Sequence, residues 1–215
     1  MINMIKKTNR MFETPYNHYL QSFRSLDPTE TAKRCAVPFD PGRSAFYVRL
    51  MGVLYEVLFP QFDARAAEGE AEAPALKNYE KILLMRYLCE GRHVPRRGGQ
   101  LSYDEIPNGA LYLSNFKNRC ARRAARALGG DIKSFEKAMT GFQAERLPQG
   151  DAGFRFEFIG GIYMSVILWE GDDEFEASAQ FMFDDNFPAA FTAEDAAVAG
   201  EIAVGRICAA VSLLA

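Results

Sequence analysis

The sequence predicts a single α+β domain over residues 1–215, in which an antiparallel sheet that includes a C-terminal three-stranded meander packs against several helices. Two patterns carry this prediction. Apolar and polar residues alternate in segments around residues 45–59 and 154–183, as expected for strands. Elsewhere apolar residues recur at helical spacing, and caps and glycines mark where those helices begin and end.

The N-terminal third is predicted to contain two helices, a hairpin and a loop. A first helix covers about residues 15–26, and Asp27 caps a second helix that ends at Cys35. Alternation with a period of two over residues 44–59 predicts the hairpin. The stretch from about 64 to 75 is rich in alanine, glycine and glutamate and has no aromatic residue, which favours a mobile loop.

The middle of the chain is predicted to be helical. Apolar residues cover most of the circumference of a helix over residues 76–89, so this helix should be central. A longer helix spans about residues 111–128 and is closed by Gly129, after which Asp131 caps a short helix.

The C-terminal third contains three predicted strands and a final helix. Residues 154–158 and 175–183 alternate between apolar and polar, whereas residues 162–169 are apolar on both faces, as in a central strand. Gly160–Gly161 provides a tight turn between the first two strands. The spacing of Thr192–Asp195 resembles a capping box and opens the last helix.

Composition excludes several classes of function. A chain of 215 residues with 48% hydrophobic content can bury a sizeable core, and a net charge of −3 argues against general nucleic-acid binding. No segment has the apolar length of a signal peptide or a transmembrane helix, so we expect a cytoplasmic protein that does not bind membranes. The four cysteines form no C-x-x-C pair and are expected to be reduced thiols.

An acidic run from Trp169 to Glu176 places five carboxylates within seven positions at a predicted turn. Mg²⁺ and Ca²⁺ prefer carboxylate oxygens, which makes Asp172, Asp173 and Glu174 candidate metal ligands. The alternative is a solvated turn that keeps a sheet edge soluble. The spacing does not match the calcium-loop pattern D-x-[DN]-x-[DN]-G, and this mismatch favours the solvated turn.

Asp184 and Asp185 are two further carboxylates beyond the acidic run. If residues 175–183 form one strand, these groups lie about 30 Å from the run and cannot share a metal with it. The pair is followed by an asparagine and a proline, which is typical of a turn that ends the strand.

A polar loop after the central helix is a candidate anion site. It contains Arg92, His93, Arg96 and Arg97 and then two glycines, which let backbone N–H groups approach a ligand. The loop lacks the G-x-x-x-x-G-K-[ST] pattern, so nucleotide binding of the P-loop type is not predicted.

A stripe of arginines follows one flank of the helix over residues 111–128. Its members are spaced at i, i+3, i+4 and i+7, and they are Arg119, Arg122, Arg123 and Arg126. Guanidinium groups bind phosphate or carboxylate in bidentate fashion, so the stripe could hold a phosphate or an acidic partner. A solvated helix face is the simpler alternative.

The order of these segments resembles the family catalogued as domain of unknown function 3786, found in anaerobic bacteria and archaea. The resemblance extends over most of the chain and is most specific in residues 168–175. The other matching segments are Leu83–Leu84 with Tyr87–Leu88, Leu101–Ser102–Tyr103, Phe183–Asp184 and the capped last helix. The family usually has proline where this chain has Glu176, so the local turn is expected to differ.

The resemblance implies a fold and a setting rather than a reaction. Some members look like fusions to an iron–sulfur domain similar to those of corrinoid proteins in one-carbon metabolism, and this chain has no such cysteine cluster. We therefore expect a binding or accessory module with a protein partner or a small anionic ligand. The alternative is an enzyme that uses a divalent cation on a phosphate-bearing or other anionic molecule. No cofactor is identifiable from the sequence.

Overall fold

The chain divides into two compact units, Met1–His93 and Val94–Ala215, of which the computed structural model describes residues 14–70 and 73–214. Each unit combines helices with antiparallel strands, which confirms the predicted α+β class. Within the described ranges, no helix combines the length and the apolar character that crossing a membrane requires.

The first unit contains three helices and four strands among its described residues. The helices are α1 (residues 14–24), α2 (Pro28–Cys35) and α3 (Asn78–Glu90). The strands are β1 (Phe39–Asp40), β2 (Ala45–Leu50), β3 (Val53–Leu58) and β4 (Asp63–Ala66), and each pairs antiparallel with the next.

Local chemistry explains where these elements begin and end. The Asp27 carboxylate accepts the backbone N–H of Glu30 at 2.9 Å, so the predicted cap of α2 is confirmed. The predicted hairpin is also confirmed, because Leu50 pairs with Val53 across a two-residue turn. Strand β4 includes the first residues of the segment from about 64 to 75, which the composition predicts to be a loop. It pairs with β3 although its four residues carry no apolar alternation.

Glu56 is a buried carboxylate of the first unit with several side-chain partners. Its side chain is 5% exposed and contacts Nε of Arg43 at 2.6 Å, Nη2 of Arg65 at 2.8 Å and the hydroxyl of Tyr47 at 3.1 Å. The hydrogen bonds from Arg43 and Arg65 lower the pKa of this carboxyl from 4.5 to about 2. Arg43 before β2, Tyr47 in β2 and Arg65 in β4 are therefore all bound to one charge in β3.

We expect Glu56→Gln to lower the free energy of unfolding by about 2 kcal/mol at neutral pH, since it removes charge-assisted hydrogen bonds. Because the folded pKa lies below the ordinary value of 4.5, the stabilisation is complete above that pH and is lost as the pH falls toward 2. Urea unfolding followed by circular dichroism at pH 7, 4 and 3 should show the two proteins converging.

Glu30→Gln is the matched control, because Glu30 pairs with Lys33 in full solvent, with 71% and 68% of the side chains exposed. An exposed pair is screened by water and contributes little to stability, so this variant should unfold almost like the wild type. A gap between Glu56→Gln and the wild type that does not shrink on acidification would contradict the assignment.

Among its described residues, the second unit contains five strands and a set of helices. The strands are β5 (Gln100–Ser102), β6 (Glu145–Leu147), β7 (Ala152–Ile159), β8 (Ile162–Trp169) and β9 (Ser178–Asp184). The helices are α4 (Gly109–Phe116), α5 (Arg122–Leu128), α6 (Ile132–Gly141), α7 (Phe187–Ala190) and α8 (Ala193–Ser212).

The strands of this unit pair in the order β6-β7-β8-β9-β5, and every pair is antiparallel. Strands β7, β8 and β9 are the predicted C-terminal meander, which is confirmed. Gly160 and Gly161 form the turn between β7 and β8 with φ of 52° and 79°, a conformation that favours glycine. The last strand begins at Ser178 rather than at Phe175 as predicted.

One long helix faces this sheet. Helix α4, a π-helical turn (Lys117–Ala121) and α5 follow each other without a break, and we call Gly109–Leu128 the cleft helix. Its buried side packs on α8, where Gly200 leaves room for the Cys120 thiol. A Cβ at this position would lie 2.8 Å from Sγ. The capping box predicted for α8 is present, with the Thr192 hydroxyl and the Asp195 carboxylate bonded 2.7 Å apart.

Candidate functional site

A cleft of about 560 Å³ opens between the cleft helix and strand β9, and we call it the basic cleft. Its helical wall is formed by Leu113, Phe116, Lys117, Ala121, Arg122, Ala125 and Arg126. Its other wall is formed by residues 176–181, and Ser102, Tyr103 and Asp104 close one end. The volume lies within the range of about 300–1,000 Å³ that is usual for ligand sites.

The π-helical turn explains how so many residues of one helix reach the same cleft. Leu113, Lys117, Ala121 and Ala125 all line it at spacings of four residues. In a regular α-helix, twelve residues correspond to a rotation of about 120° away from the starting face. The wider π-turn at Lys117–Ala121 takes up part of this rotation. Turns of this kind are frequent at functional sites.

The floor of the cleft is aromatic and rigid. The ring of Phe116 stacks on Tyr103 at 4.0 Å between centroids and meets Phe181 edge-on at 6.0 Å. The Tyr103 hydroxyl donates to the backbone oxygen of Ala193 at 3.0 Å, so it is already satisfied within the fold. These rings therefore shape the cleft and leave its polar chemistry to other side chains.

Three cations line the helical wall, namely Lys117, Arg122 and Arg126. Arg122 donates to the side-chain oxygen of Asn118 at 2.6 Å. Neither Lys117 nor Arg126 forms an ion pair with any residue that the structure describes. Two carboxylates, Asp104 and Glu176, also line the cleft, so the cationic character belongs to the helical wall.

The arginine stripe predicted from the sequence is divided between two roles. Arg119 points to α8 and forms a bidentate pair with Glu201, with N–O distances of 2.6 and 2.7 Å. Arg122 and Arg126 line the basic cleft instead. Lys117 was not part of the predicted stripe, because the π-turn that brings it onto the same wall leaves no mark in the apolar spacing.

The acidic run lies in the turn between β8 and β9, and all of residues 170–176 are exposed. One Asp172 oxygen accepts the backbone N–H groups of Glu174 at 2.9 Å and Phe175 at 2.7 Å. These two bonds lower the pKa of Asp172 below its usual value. The carboxylate thus closes its own turn, a common use of aspartate.

Asp173 and Glu174 are exposed neighbours in this turn, and the structure gives no indication of shared coordination with Asp172. Among the described residues, no group of three or more His, Cys, Asp or Glu side chains is arranged to hold a metal ion. The metal site predicted on Asp172, Asp173 and Glu174 stays a prediction without geometric support.

The loop predicted as an anion site begins in the first unit with Arg92, which is exposed, and His93, which is half-buried. The backbone N–H of His93 donates to the backbone oxygen of Arg34 at 2.9 Å. Its Nδ1 atom is buried and has no hydrogen-bond partner in the part of the chain that is described.

The same loop continues in the second unit, where its backbone does bind a carboxylate. The N–H groups of Gly99 and Arg97 donate to the Asp185 side chain at 2.8 and 3.1 Å. They lower the pKa of that carboxyl below its usual value. The loop is thus able to hold an anion, as its glycines predict, but the anion is a side chain of this protein.

Arg96 contacts the neighbouring carboxylate, Asp184, at 3.1 Å. Asp184 is 1% exposed and receives a second, bidentate pair from Arg155 at 3.1 and 2.5 Å. The guanidinium of Arg155 also lies 4.0 Å from the ring centroid of Tyr163. Asp184 and Asp185 therefore anchor the loop to the end of β9.

Of the comparisons with protein-family models, curated proteins and solved structures, the one with family models finds a match. No curated protein and no solved structure matches the chain. The family model described as "Domain of unknown function (DUF3786)" matches residues 27–206, which include every residue that lines the cleft and both carboxylates that anchor the loop. Because the match covers most of the chain, the protein belongs to the DUF3786 family.

Proposed function

We propose that this protein is a binding module and that its ligand is an anionic group held in the basic cleft. The observation that carries the proposal is the helical wall, on which Lys117 and Arg126 line an accessible cleft without an ion-pair partner among the described residues. Arg119 on the same helix is paired with Glu201, whereas Lys117 and Arg126 are exposed at the cleft. A ligand carboxylate or phosphate would supply the missing partner.

The rest of the cleft suits binding better than chemistry. Its floor is formed by packed aromatic rings, and the hydroxyls of Ser102 and Ser178 and the amide of Gln180 belong to residues that line it. Among the described residues that line it there is no histidine or cysteine, and the Ser102 hydroxyl is bonded to Glu105 within its own turn at 2.8 Å. Recognition of a charged ligand needs only the groups that are present.

The alternative function, an enzyme dependent on a divalent cation, would require Asp172, Asp173 and Glu174 to converge on one ion. All three are exposed, and Asp172 accepts two hydrogen bonds from its own turn. No observation in the structure favours this alternative over binding at the cleft.

We also propose where in the cell this protein acts and which metabolism it serves. The four cysteines are free thiols, and Cys35 and Cys120 are buried, which supports a reducing compartment such as the cytoplasm. A link to corrinoid or iron–sulfur one-carbon metabolism rests on the family resemblance alone. Cobalamin is therefore one of the probes in the test below.

The test reverses the charge of the helical wall in the variant Lys117→Glu/Arg122→Glu/Arg126→Glu. We expect at least one of the anions poly-glutamate, inorganic polyphosphate and ATP to raise the unfolding midpoint of the wild type, since a ligand selective for the native state stabilises it. Cobalamin is tested beside them as a separate probe of the family setting. Three reversed charges at about 0.5 kcal/mol each should lower the affinity about tenfold. Thermal unfolding and fluorescence titration measure both effects.

Two controls make the result specific. Arg24→Glu/Lys133→Glu/Lys137→Glu changes the net charge equally at exposed positions outside the cleft and should keep the affinity. Arg92→Glu/Arg97→Glu tests the loop predicted from the sequence. The proposal is wrong if the loop variant loses the ligand while the cleft variant keeps it, or if no anion binds to the wild type.

A further inference from the structure

Strand β9 is paired unequally on its two sides. Strand β8 covers it from Ser178 to Phe183, with Trp169 opposite Ser178 and Met164 opposite Phe183. On the other side, β5 pairs only with Met182–Asp184. Over residues 178–181, this second side has no partner strand in the described part of the chain. Four residues correspond to an open edge about 13 Å long.

The register determines which backbone groups this open edge presents. The backbone N–H of Asp185 donates to Gly99, which lies opposite it by continuation of the β5–β9 register. In an antiparallel pair, every second residue directs both its N–H and its C=O to the same neighbouring strand. Odd-numbered residues of β9 therefore face the β5 side, and Ala179 directs its N–H and C=O into the basic cleft.

The β7–β8 hairpin independently indicates that the backbone groups of Ala179 face the cleft. Its two-residue turn joins Ile159 to Ile162, so Ile162 and the other even-numbered residues of β8 face β7. Odd-numbered residues of β8 then face β9, where they meet even-numbered partners such as Gln180, opposite Ile167. Ala179 is left facing the cleft.

The chain's own strand does not extend into this gap. Strand β5 ends at Ser102, and a 3₁₀ turn (Tyr103–Glu105) leads the chain away from the edge. The Glu105 carboxylate holds this exit in place, because it accepts the backbone N–H of Ser102 at 2.7 Å and its hydroxyl at 2.8 Å. Proteins usually cover such edges or protect them with charge, and here a cleft lies beside the edge instead.

The charges beside the open edge indicate which kind of segment could pair with it. A strand added to β9 would direct every second side chain toward the helical wall, where Lys117, Arg122 and Arg126 lie. Acidic side chains at alternate positions would meet these cations. A basic segment would be repelled by them, and it would find only Asp104 and Glu176 as partners.

We propose that β9 binds an extended acidic segment of a partner protein as an added strand that continues the line of β5. This inference rests on the proposed function, because it takes the basic cleft as the ligand site. Backbone hydrogen bonds at Ala179 would supply affinity, and the cations of the helical wall would select sequence and register.

The test uses a fluorescein-labelled peptide of about seven residues in which glutamate alternates with valine. Two isomers carry N-methyl groups, one on every glutamate and one on every valine. In an added strand only one set of alternate N–H groups points at β9, so one isomer should bind like the parent and the other about tenfold more weakly. Fluorescence anisotropy at low ionic strength measures the three affinities.

A matched pair of protein variants tests the same backbone contact by changing β9 instead of the peptide. Ala179→Pro removes the N–H that faces the cleft without removing a β8–β9 hydrogen bond, whereas Ala179→Ser keeps it. We expect the proline variant to bind the parent peptide about fivefold more weakly and the serine variant to bind it like the wild type. The fluorescence of Trp169, the single tryptophan, should show the same unfolding midpoint for both variants.

The outcomes separate this inference from the proposed function. If the two N-methylated isomers bind equally and the charge-reversed cleft variant still loses the peptide, the cleft holds acidic ligands but not as an added strand. Strand addition is also overturned if the acidic peptide does not bind at all while ATP or polyphosphate does. If charge reversal leaves every anion bound as before, the proposed function itself fails.

Discussion

Replacing Arg155 with methionine is expected to lower the free energy of unfolding by about 3 kcal/mol, near the lower end of the range for broken buried ion pairs. The partner, Asp184, is 1% exposed, and Arg155 supplies two of its charged contacts. Methionine fills similar space but leaves the carboxylate with Arg96 alone. Urea unfolding followed by Trp169 fluorescence measures the loss.

Two companion variants show whether the buried charge is the cause. Arg96→Met removes only one contact to Asp184, and the Arg96 side chain is 36% exposed. This variant should therefore lower the free energy of unfolding less than Arg155→Met does. The double variant Arg155→Met/Asp184→Leu removes the stranded charge and should be more stable than Arg155→Met alone. A double variant that is less stable than the single one would contradict this account.

Phe183→Ala is expected to destabilise the second unit by about 3–5 kcal/mol, because a large buried ring leaves a cavity that its neighbours only partly fill. Phe183 is 0% exposed. Its ring lies 4.7 Å from Phe187, 6.0 Å from Phe116 and 6.4 Å from Tyr103, measured between centroids. The loss should therefore also loosen the aromatic floor of the basic cleft.

Phe175→Ala is the matched control, since it removes the same ring from a side chain that is 71% exposed in the acidic turn. Its free energy of unfolding should stay within about 0.5 kcal/mol of the wild type. Both variants are measured by urea unfolding followed by Trp169 fluorescence. Similar losses for the two variants would mean that the exposed turn packs against the unit in solution.

The strand ends illustrate how far apolar alternation predicts structure. Alternation correctly identified β7 and most of β9, because side chains on successive residues of a strand face opposite sides. A continuous apolar run identified β8 as a central strand. Alternation wrongly included Phe175 in β9. The Asp172 carboxylate binds the N–H groups of Glu174 and Phe175, and this local cap overrides the pattern.

The candidate sites were harder to predict than the strands. The glycines after Arg97 predicted a loop that binds an anionic ligand, and this stays a prediction. In the structure the backbone of the loop binds the carboxylate of Asp185, which lies 86 to 88 positions further along the chain. Likewise, the arginine stripe on the cleft helix contains both a structural residue, Arg119, and two cleft residues. Arg119 has a structural role because it forms an ion pair with Glu201 on α8, and the sequence does not show that these two residues are in contact.

The α+β class, the C-terminal meander, the capped final helix and the basic and acidic clusters could be predicted from the amino-acid sequence, because they depend on periodicity, caps and charge within short segments. Which charges are already neutralised and which face a cleft is known only from the folded chain. Ion pairs such as Arg155–Asp184 and the open edge at Ala179 depend on strand order and register, which join residues far apart in the chain.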